Sequence, residues 1–295
     1  MSNDPESDGK STGQMWAEVI FSLVYLIVIW SMVLAMEIQQ RHNASKVVSL
    51  ERMPKSKKEE ESNETTDKRI ADLFLMAFGL LAFGDSFHLG CRIAGNIQET
   101  LQGQEVTNIG YGDLFGAITI TLFYHILLRI WWVQYRGDCE KSIGLIGWFL
   151  LLMTPVRFAL MVPPQNDWGS LTPAQPWTAI RNIPLILQGL GVAALLLRDS
   201  ISAKHRALQW IGILIVLSYA CVIPVVFAGQ RYEFLGLLMI PKTLCYIAMA
   251  LVVYFRYFSR AKSIEIPVLR NISFKIPLEE KSAGNQTSTE PALPC

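Results

Sequence analysis

The sequence predicts an all-α fold, a seven-transmembrane helix bundle with its N-terminus outside and its C-terminus cytoplasmic. Three observations predict it. First, 51% of the 295 residues are hydrophobic and only 17% are charged, where a soluble domain carries roughly 25% charge. Second, the mean hydropathy of +0.31 is an average over two kinds of segment, long uncharged runs and short charged ones. Third, the charged runs are distributed unequally between alternate connections. These features argue against a soluble enzyme, a disulfide-stapled secreted domain and a disordered chain. The net charge of +1 supplies no basic field, so nucleic acid is not an expected partner. Cys91, Cys139, Cys221, Cys245 and Cys295 are scattered without a CxxC or CxxxH spacing, so neither a disulfide framework nor a structural zinc site is expected.

A helix rising about 1.5 Å per residue needs about 20 mostly apolar residues to cross a hydrocarbon core roughly 30 Å thick. Seven segments meet that length: 16–36, 70–92, 111–135, 143–162, 178–197, 208–228 and 237–258. The first lacks a basic n-region and is too long for an h-region, so it reads as a span and not as a cleaved signal peptide. The second carries Asp85, His88 and Arg92 in its later half. The third carries His125 and Arg129, and opens on Gly112 and Gly116, a GxxxG spacing suited to close helix packing. The fourth holds Arg157 and the fifth Arg181, and the seventh holds Lys242, with Arg256 at its end. The sixth holds none.

Orientation follows from the connections. Segments 37–69, 136–142, 198–207 and 256–295 together hold nineteen Lys and Arg, against two, Lys10 and Arg231, on the other side. The positive-inside rule places the nineteen in the cytoplasm. Tryptophans favour the headgroup level: Trp16, Trp168 and Trp177 fall at the outer boundary, and Trp131, Trp132, Trp148 and Trp210 near the inner one. Trp30 fits neither. The domain plan is an extracytoplasmic disordered tail (1–15), a membrane domain (16–258) with a cytoplasmic linker (37–69), and a cytoplasmic tail (259–295). Within the linker, 37–53 can extend the first helix, and 54–68 reads as a mixed-charge solvated run. Residues 264–276 alternate apolar and polar side chains, as an extended strand or a segment on the inner leaflet would. The sequons at Asn43, Asn63, Asn271 and Asn285 are cytoplasmic in this topology and are expected to carry no glycan. The expected location is the cell (cytoplasmic) membrane, with the lipid bilayer as the first partner.

Polar residues inside the spans carry the functional information. A charge near a helix centre costs about 2.5–3.5 kcal/mol on insertion scales, so it usually faces the bundle interior and a partner. Asp85, His88 and Arg92 share one helix face at i, i+3 and i+7. Asp85 with His88 reads as a general base and its orienter, as two metal ligands, or as a hydrogen-bonded pair that only packs helices. Thr121, His125, Arg129 and Trp132 form a second stripe, with Tyr124 beside it. Arg129 is expected to snorkel to the inner headgroups. Lys242 and Tyr246 stand at i, i+4 on the seventh span. Pro155, Pro184, Pro224 and Pro241 each remove a helix donor beside these charges.

In the derived topology Arg92, Arg157, Arg181 and Lys242 all lie in the outer halves of their spans. Asp85 opposes them, with Glu18 and Asp113 nearer the boundary. One reading disperses these cations to headgroups, carbonyls and boundary acids. The other is an outward-facing, net-basic pocket that takes a phosphate or carboxylate, for which Arg supplies bidentate donors.

The motifs Gly84-Asp85-Ser86-Phe87-His88 and Pro241-Lys242-Thr243, with Phe123-Tyr124-His125 between them, resemble those of an uncharacterised class of bacterial multi-pass membrane proteins. That class carries GD-S/T-FH in the second span and PKT in the last. The resemblance covers residues 70–258 and implies a membrane fold without an assigned reaction. There is a looser similarity to lysoplasmalogenase-like membrane proteins, in the Gly84-Asp85 pair and in His125 on the next span. A retinal protein is disfavoured. Lys242 lies in the outer third of its helix, and Leu238 stands at i−4 where an acid would be expected.

Three functions fit these residues. The first is a binder of a small anionic or amphiphilic ligand (a sensor, a receptor-like or a transport role), with Arg92, Tyr124, Arg157, Arg181, Lys242 and Tyr246 as ligand-binding residues. The second is an intramembrane lipid-directed hydrolase, with Asp85, His88 and His125 as its catalytic acid/base set. The third is a structural or assembly subunit whose buried charges only specify helix pairing. No metal site is expected, and the sequence names no cofactor or protein partner. The orientation is tested by fusing alkaline phosphatase after Cys295. Cytoplasmic placement predicts an inactive fusion, and an active one would invert the topology.

Overall fold

The computed structural model describes residues 12–50, 58–102, 109–137, 143–169, 175–229 and 231–259. Residues 1–11 of the acidic tail, residues 51–57 of the linker and residues 260–295, including the alternating segment 264–276, lie outside the described residues. The described residues form seven α-helices: α1 (Thr12–Leu50), α2 (Lys58–Gln102), α3 (Ile109–Arg136), α4 (Gly144–Met161), α5 (Trp177–Ser202), α6 (Arg206–Ala228) and α7 (Met239–Val253). A 3-10 turn, Pro164–Asn166, follows α4; another, Glu233–Leu238, leads into α7, and a π turn, Tyr254–Phe258, extends it. Among the described residues seven helical segments are long and apolar enough to cross a membrane: Trp16–His42, Thr65–Gly95, Gly110–Arg136, Gly144–Met161, Trp177–Ser202, Arg206–Ala228 and Phe234–Phe258.

Two helices outrun the expected spans. α1 continues to Leu50 and α2 begins at Lys58, so much of the mixed-charge run is helix and not a loop. Lys and Glu are strong helix formers, and the helical run starts beyond Pro54, where a proline interrupts nothing. At its other end α2 continues past Arg92 to Gln102.

Successive helices are antiparallel, as their contacts show. Tyr25 of α1 meets Asp85 of α2, and Gln40 meets Asp72. The α2–α3 pair is the most extensively packed. Its approach depends on small residues. A Cβ on Gly84 would lie 1.7 Å from Thr119 Oγ1, and one on Gly112 would lie 3.0 Å from the Phe87 carbonyl oxygen. The GxxxG of α3 thus packs against α2. α3 sits at the centre of the bundle. It packs on α2, α4 and α5, its Tyr124 ring meets Tyr219 of α6 at 5.4 Å, and its Phe123 ring meets Tyr246 of α7 at 5.8 Å. α1 closes the bundle across α2 and α7.

The buried apolar core lies between a polar layer and the end of the bundle that carries the α5–α6 turn. Phe74, Phe78, Phe123, Leu127 and Trp131 are buried in it. Large apolar side chains also cover the outside, among them Ile20, Val24 and Ile27 on α1, Leu145, Ile146 and Phe149 on α4, and Val216 and Leu217 on α6. A soluble bundle of this size would not expose so continuous an apolar surface. Helices satisfy their backbone groups internally and can present that surface to lipid. Pro155, Pro184 and Pro224 lie inside α4, α5 and α6. Pro241 differs from them, since it falls in the first turn of α7, where its missing N–H breaks no helical bond.

Two tryptophans depart from the interfacial pattern. Trp131 is 1% exposed and its Nε1 donates to Asp199 Oδ2 at 2.8 Å, so it packs the core. Trp30 donates to Ser86 Oγ at 2.9 Å, which satisfies its indole within the bundle and explains its position away from either boundary.

Gly189 of α5 lets Tyr219 reach the backbone, because a Cβ there would lie 2.0 Å from the phenol oxygen. Gly189→Ala is expected to destabilise the protein by about 1–3 kcal/mol through overpacking. Gly79→Ala, where nothing lies within 4 Å, is expected to be neutral or to stabilise by up to ~1 kcal/mol through helix propensity. Mixed-micelle unfolding of both variants checks the contrast; equal effects would contradict it.

Candidate functional site

A single polar layer crosses the middle of the bundle, and every helix contributes to it. On α2, Gly84 brings α3 close and Asp85 follows it. Asp85 is half-buried, and its Oδ2 accepts from the Tyr25 hydroxyl of α1 at 2.5 Å. Lys242, in the first turn of α7, is half-buried within electrostatic reach of Asp85. One turn on, the Tyr246 hydroxyl lies 3.2 Å from that of Tyr124 on α3. The Tyr219 hydroxyl of α6 donates to the Leu185 carbonyl of α5 at 2.9 Å. Tyr25, Tyr124, Tyr219 and Tyr246 are all buried.

Arg157 of α4 occupies the far side of this layer and is 2% exposed. Its Nη1 donates to Thr121 Oγ1 at 2.7 Å, and its Nη2 to Asn182 Oδ1 at 3.1 Å. Its Nε is buried without a hydrogen-bond partner among the described residues. Both oxygens that receive it are neutral, and both side chains also bond their own helices. Thr121 donates to the Ala117 carbonyl, and the Asn182 amide donates to the Thr178 carbonyl. The Arg157 charge is felt by Lys242, Arg181 and the phenols of Tyr219, Tyr124 and Tyr246. Among the described residues the layer therefore holds two cations, Arg157 and Lys242, and one carboxylate, Asp85.

His125 belongs to the edge of the same layer. Its Nδ1 lies 3.2 Å from Thr154 Oγ1, which also accepts from Gln188 Nε2 at 2.9 Å. Gln188 is fully buried, and its Oε1 has no hydrogen-bond partner among the described residues.

A second group of charges lies nearer the end of the bundle that carries the α4–α5 connection. His88 Nδ1 lies 2.7 Å from Asp113 Oδ1. Arg92, which is exposed, and Arg181, which is buried, are both within electrostatic reach of Asp113. Arg181 donates to Asn166 Oδ1 at 3.1 Å and stacks 4.0 Å above Trp168. Asn166 is itself fixed, because its Nδ2 donates to the Leu160 and Pro163 carbonyls at the end of α4.

The structure thus brings Asp85, Lys242, Tyr246, Tyr124 and Arg157 into one layer, and places His88, Arg92 and Arg181 around Asp113. His88 bonds Asp113 and not Asp85, although the two histidine and aspartate positions share a helix face. Asp85, His88 and His125 have three different partners: Tyr25, Asp113 and Thr154. Arg129 is exposed and stacks 4.4 Å from the Trp132 ring centre. Among the described residues no group of three His, Cys, Asp or Glu side chains is placed to hold a metal ion. The cavities among the described residues include one of about 90 Å³ beside His125 and Trp132, and one of about 570 Å³ at the α5–α6 end. Neither is lined by Asp85, Arg157 or Lys242.

Sequence reasoning missed Tyr25, Thr154, Asn182, Gln188 and Tyr219. All are neutral, so a search for charges in spans passes over them. Gln188 and Asn182 carried the one usable signal, being side-chain amides within an otherwise apolar span.

The fold and this layer define a class: a polytopic helical membrane protein with a polar layer inside its bundle. Comparison with known proteins finds no family model, no curated protein and no solved structure that matches the chain.

The Tyr25–Asp85 bond is expected to be worth about 1.5–3 kcal/mol, the range for hydrogen bonds to charged groups. A double-mutant cycle with Tyr25→Phe and Asp85→Asn should show a coupling energy of that sign, roughly 0.5–3 kcal/mol for groups in contact. Additive effects would show that the two side chains do not act together.

Proposed function

We propose that this protein is a ligand-binding membrane protein, in a sensor, receptor-like or transport role, whose polar layer takes the anionic group of a small or amphiphilic ligand. One observation carries the reading. The Arg157 guanidinium is 2% exposed, yet its hydrogen-bond partners are neutral and its Nε is unused. A buried cation is stable when an anion pairs with it. Nearby Lys242 adds positive potential, and the Tyr124–Tyr246 hydroxyl pair, which shares one hydrogen bond, leaves one donor for an anionic oxygen. Arg supplies the planar fork suited to carboxylate or phosphate.

With nineteen cations on one set of connections and two on the other, the positive-inside rule puts the Asp113–Arg181 end outside. His88, Arg92 and Arg181 would then lie between the outer surface and the layer, where they attract an anion on its approach. The membrane in which this happens is proposed to be the cell membrane. The hydrolase alternative has no observation of its own in its favour.

Arg157→Met separates a binding role from a structural one. Methionine keeps an unbranched apolar stem and leaves Thr121 and Asn182 bonded to their own helices. A ligand-binding role predicts that the ligand-free variant is as stable as the parent, or more stable, since replacing a buried charge with a hydrophobe is often neutral or stabilising by about 1–4 kcal/mol. It also predicts that thermal stabilisation by inorganic phosphate, a fatty acid or a lysophospholipid, whichever acts on the parent, is lost. A structural strut predicts a loss of about 1.5–3 kcal/mol for each hydrogen bond to the charged group that is removed. That loss, or a ligand response that survives the substitution, would overturn the proposal.

A further inference from the structure

We infer that the cleft at the α5–α6 end is a second anion site, separate from the polar layer, that takes a phosphate-bearing group. The cleft has a volume of about 570 Å³, within the roughly 300–1,000 Å³ of small-molecule sites. Four parts of the chain converge on it: Asp67 near the start of the α2 span, Gln134 at the end of α3, Lys204–Leu208 at the α5–α6 turn, and Arg256 with Tyr257 beyond α7. Lys204, Arg206 and Arg256, with His205 between the first two, face a single carboxylate. That carboxylate is already engaged, since Arg256 Nη2 lies 3.5 Å from Asp67 Oδ2. Neither Lys204 nor Arg206 has a carboxylate partner among the described residues.

The turn explains why these cations gather. α5 ends at Ser202 and α6 begins at Arg206, so the chain reverses in three residues. Lys204 takes φ +57° to do so, and the His205 N–H bonds back to the Ser200 carbonyl at 2.9 Å. The His205 side chain makes no cap to α6. Its ring lies 5.7 Å from that of Tyr135. The leading N–H groups of a helix have no intrahelical acceptor. Here they belong to Arg206, Ala207 and Leu208, and all three residues line the cleft. The cleft thus joins two side-chain cations from one turn, a third across the cleft, and the first residues of α6 at its wall. A phosphate, with several acceptor oxygens and more than one charge, matches that set better than a carboxylate does.

Two sources supply this chemistry, an anionic lipid headgroup or a soluble phosphate, and one experiment separates them. The full chain is placed in phosphatidylcholine nanodiscs. Its thermal stability is followed with inorganic phosphate against chloride of equal ionic strength, and separately with phosphatidic acid in the disc. The parent is compared with Lys204→Ala/Arg206→Ala. The control is Arg41→Ala, which removes an exposed cation paired with Glu37 outside the cleft. Both cleft residues are exposed, so the double variant is expected to fold. Stabilisation should appear in at least one arm for the parent and the control. In the double variant the apparent affinity should fall by roughly tenfold or more, as the loss of two charge-assisted contacts implies. A response to phosphate alone identifies a soluble ligand, and a response to phosphatidic acid alone a headgroup. No response in either arm, or an equal response in the double variant, would overturn the inference.

Discussion

Hydrocarbon offers no hydrogen bonds, so every polar group that enters the membrane must find its partner inside the protein. This constraint organises the bundle. The chain carries Asp85, Arg157 and Lys242 into three different spans, and the other helices supply what those groups need. α1 supplies the Tyr25 hydroxyl, α3 the Thr121 hydroxyl and α5 the Asn182 amide. α6 joins through Tyr219, which ties its helix to the α5 backbone. A layer to which all seven helices contribute fixes their rotation as well as their order, because turning any one of them withdraws a partner.

Close packing serves the same layer. Gly84 precedes Asp85, and its missing side chain is the space that Thr119 of α3 occupies. Gly189 leaves the space through which Tyr219 reaches the Leu185 carbonyl. In lipid, association between helices gains little from burying apolar surface and depends on van der Waals fit and hydrogen bonds. A glycine that brings two backbones together also shortens the reach a polar side chain must cover. Sequence glycines and sequence charges are therefore parts of one device, even though they are read as separate motifs.

Much of this was legible in the sequence, for a simple reason. Span length and apolarity are properties of single helices, and hydropathy measures them one helix at a time. Pairing is a property of two helices. Asp85 and His88 lie at i, i+3, about 60° apart around a helix of 3.6 residues per turn. That is enough to turn Asp85 toward Tyr25 on α1 and His88 toward Asp113 on α3. The same limit applies to Trp131, which has the composition of an interfacial anchor but is drawn inward by Asp199 of α5. The neutral partners Thr154, Asn182 and Gln188 have no charge to mark them. Their importance comes from the cation or imidazole placed beside them by another part of the chain.

Arg157 shows where satisfying hydrogen bonds and neutralising charge part company. Thr121 and Asn182 receive two of its donors, yet neither oxygen carries a formal charge. Within this layer the one carboxylate, Asp85, is shared with Tyr25 and Lys242. An acid at position 121 or 182 would have formed a closed ion pair with Arg157, and the attraction would have been strong in so poor a dielectric. The chain places a hydroxyl and an amide there instead. These hold the guanidinium in one orientation without supplying a formal charge to pair with it. For a residue that only braces helices, this arrangement incurs the desolvation cost and leaves out the compensating charge. For a residue that meets an anion from outside the chain, both features follow from the same requirement: the cation must be fixed in place before the anion arrives, and must not already be paired.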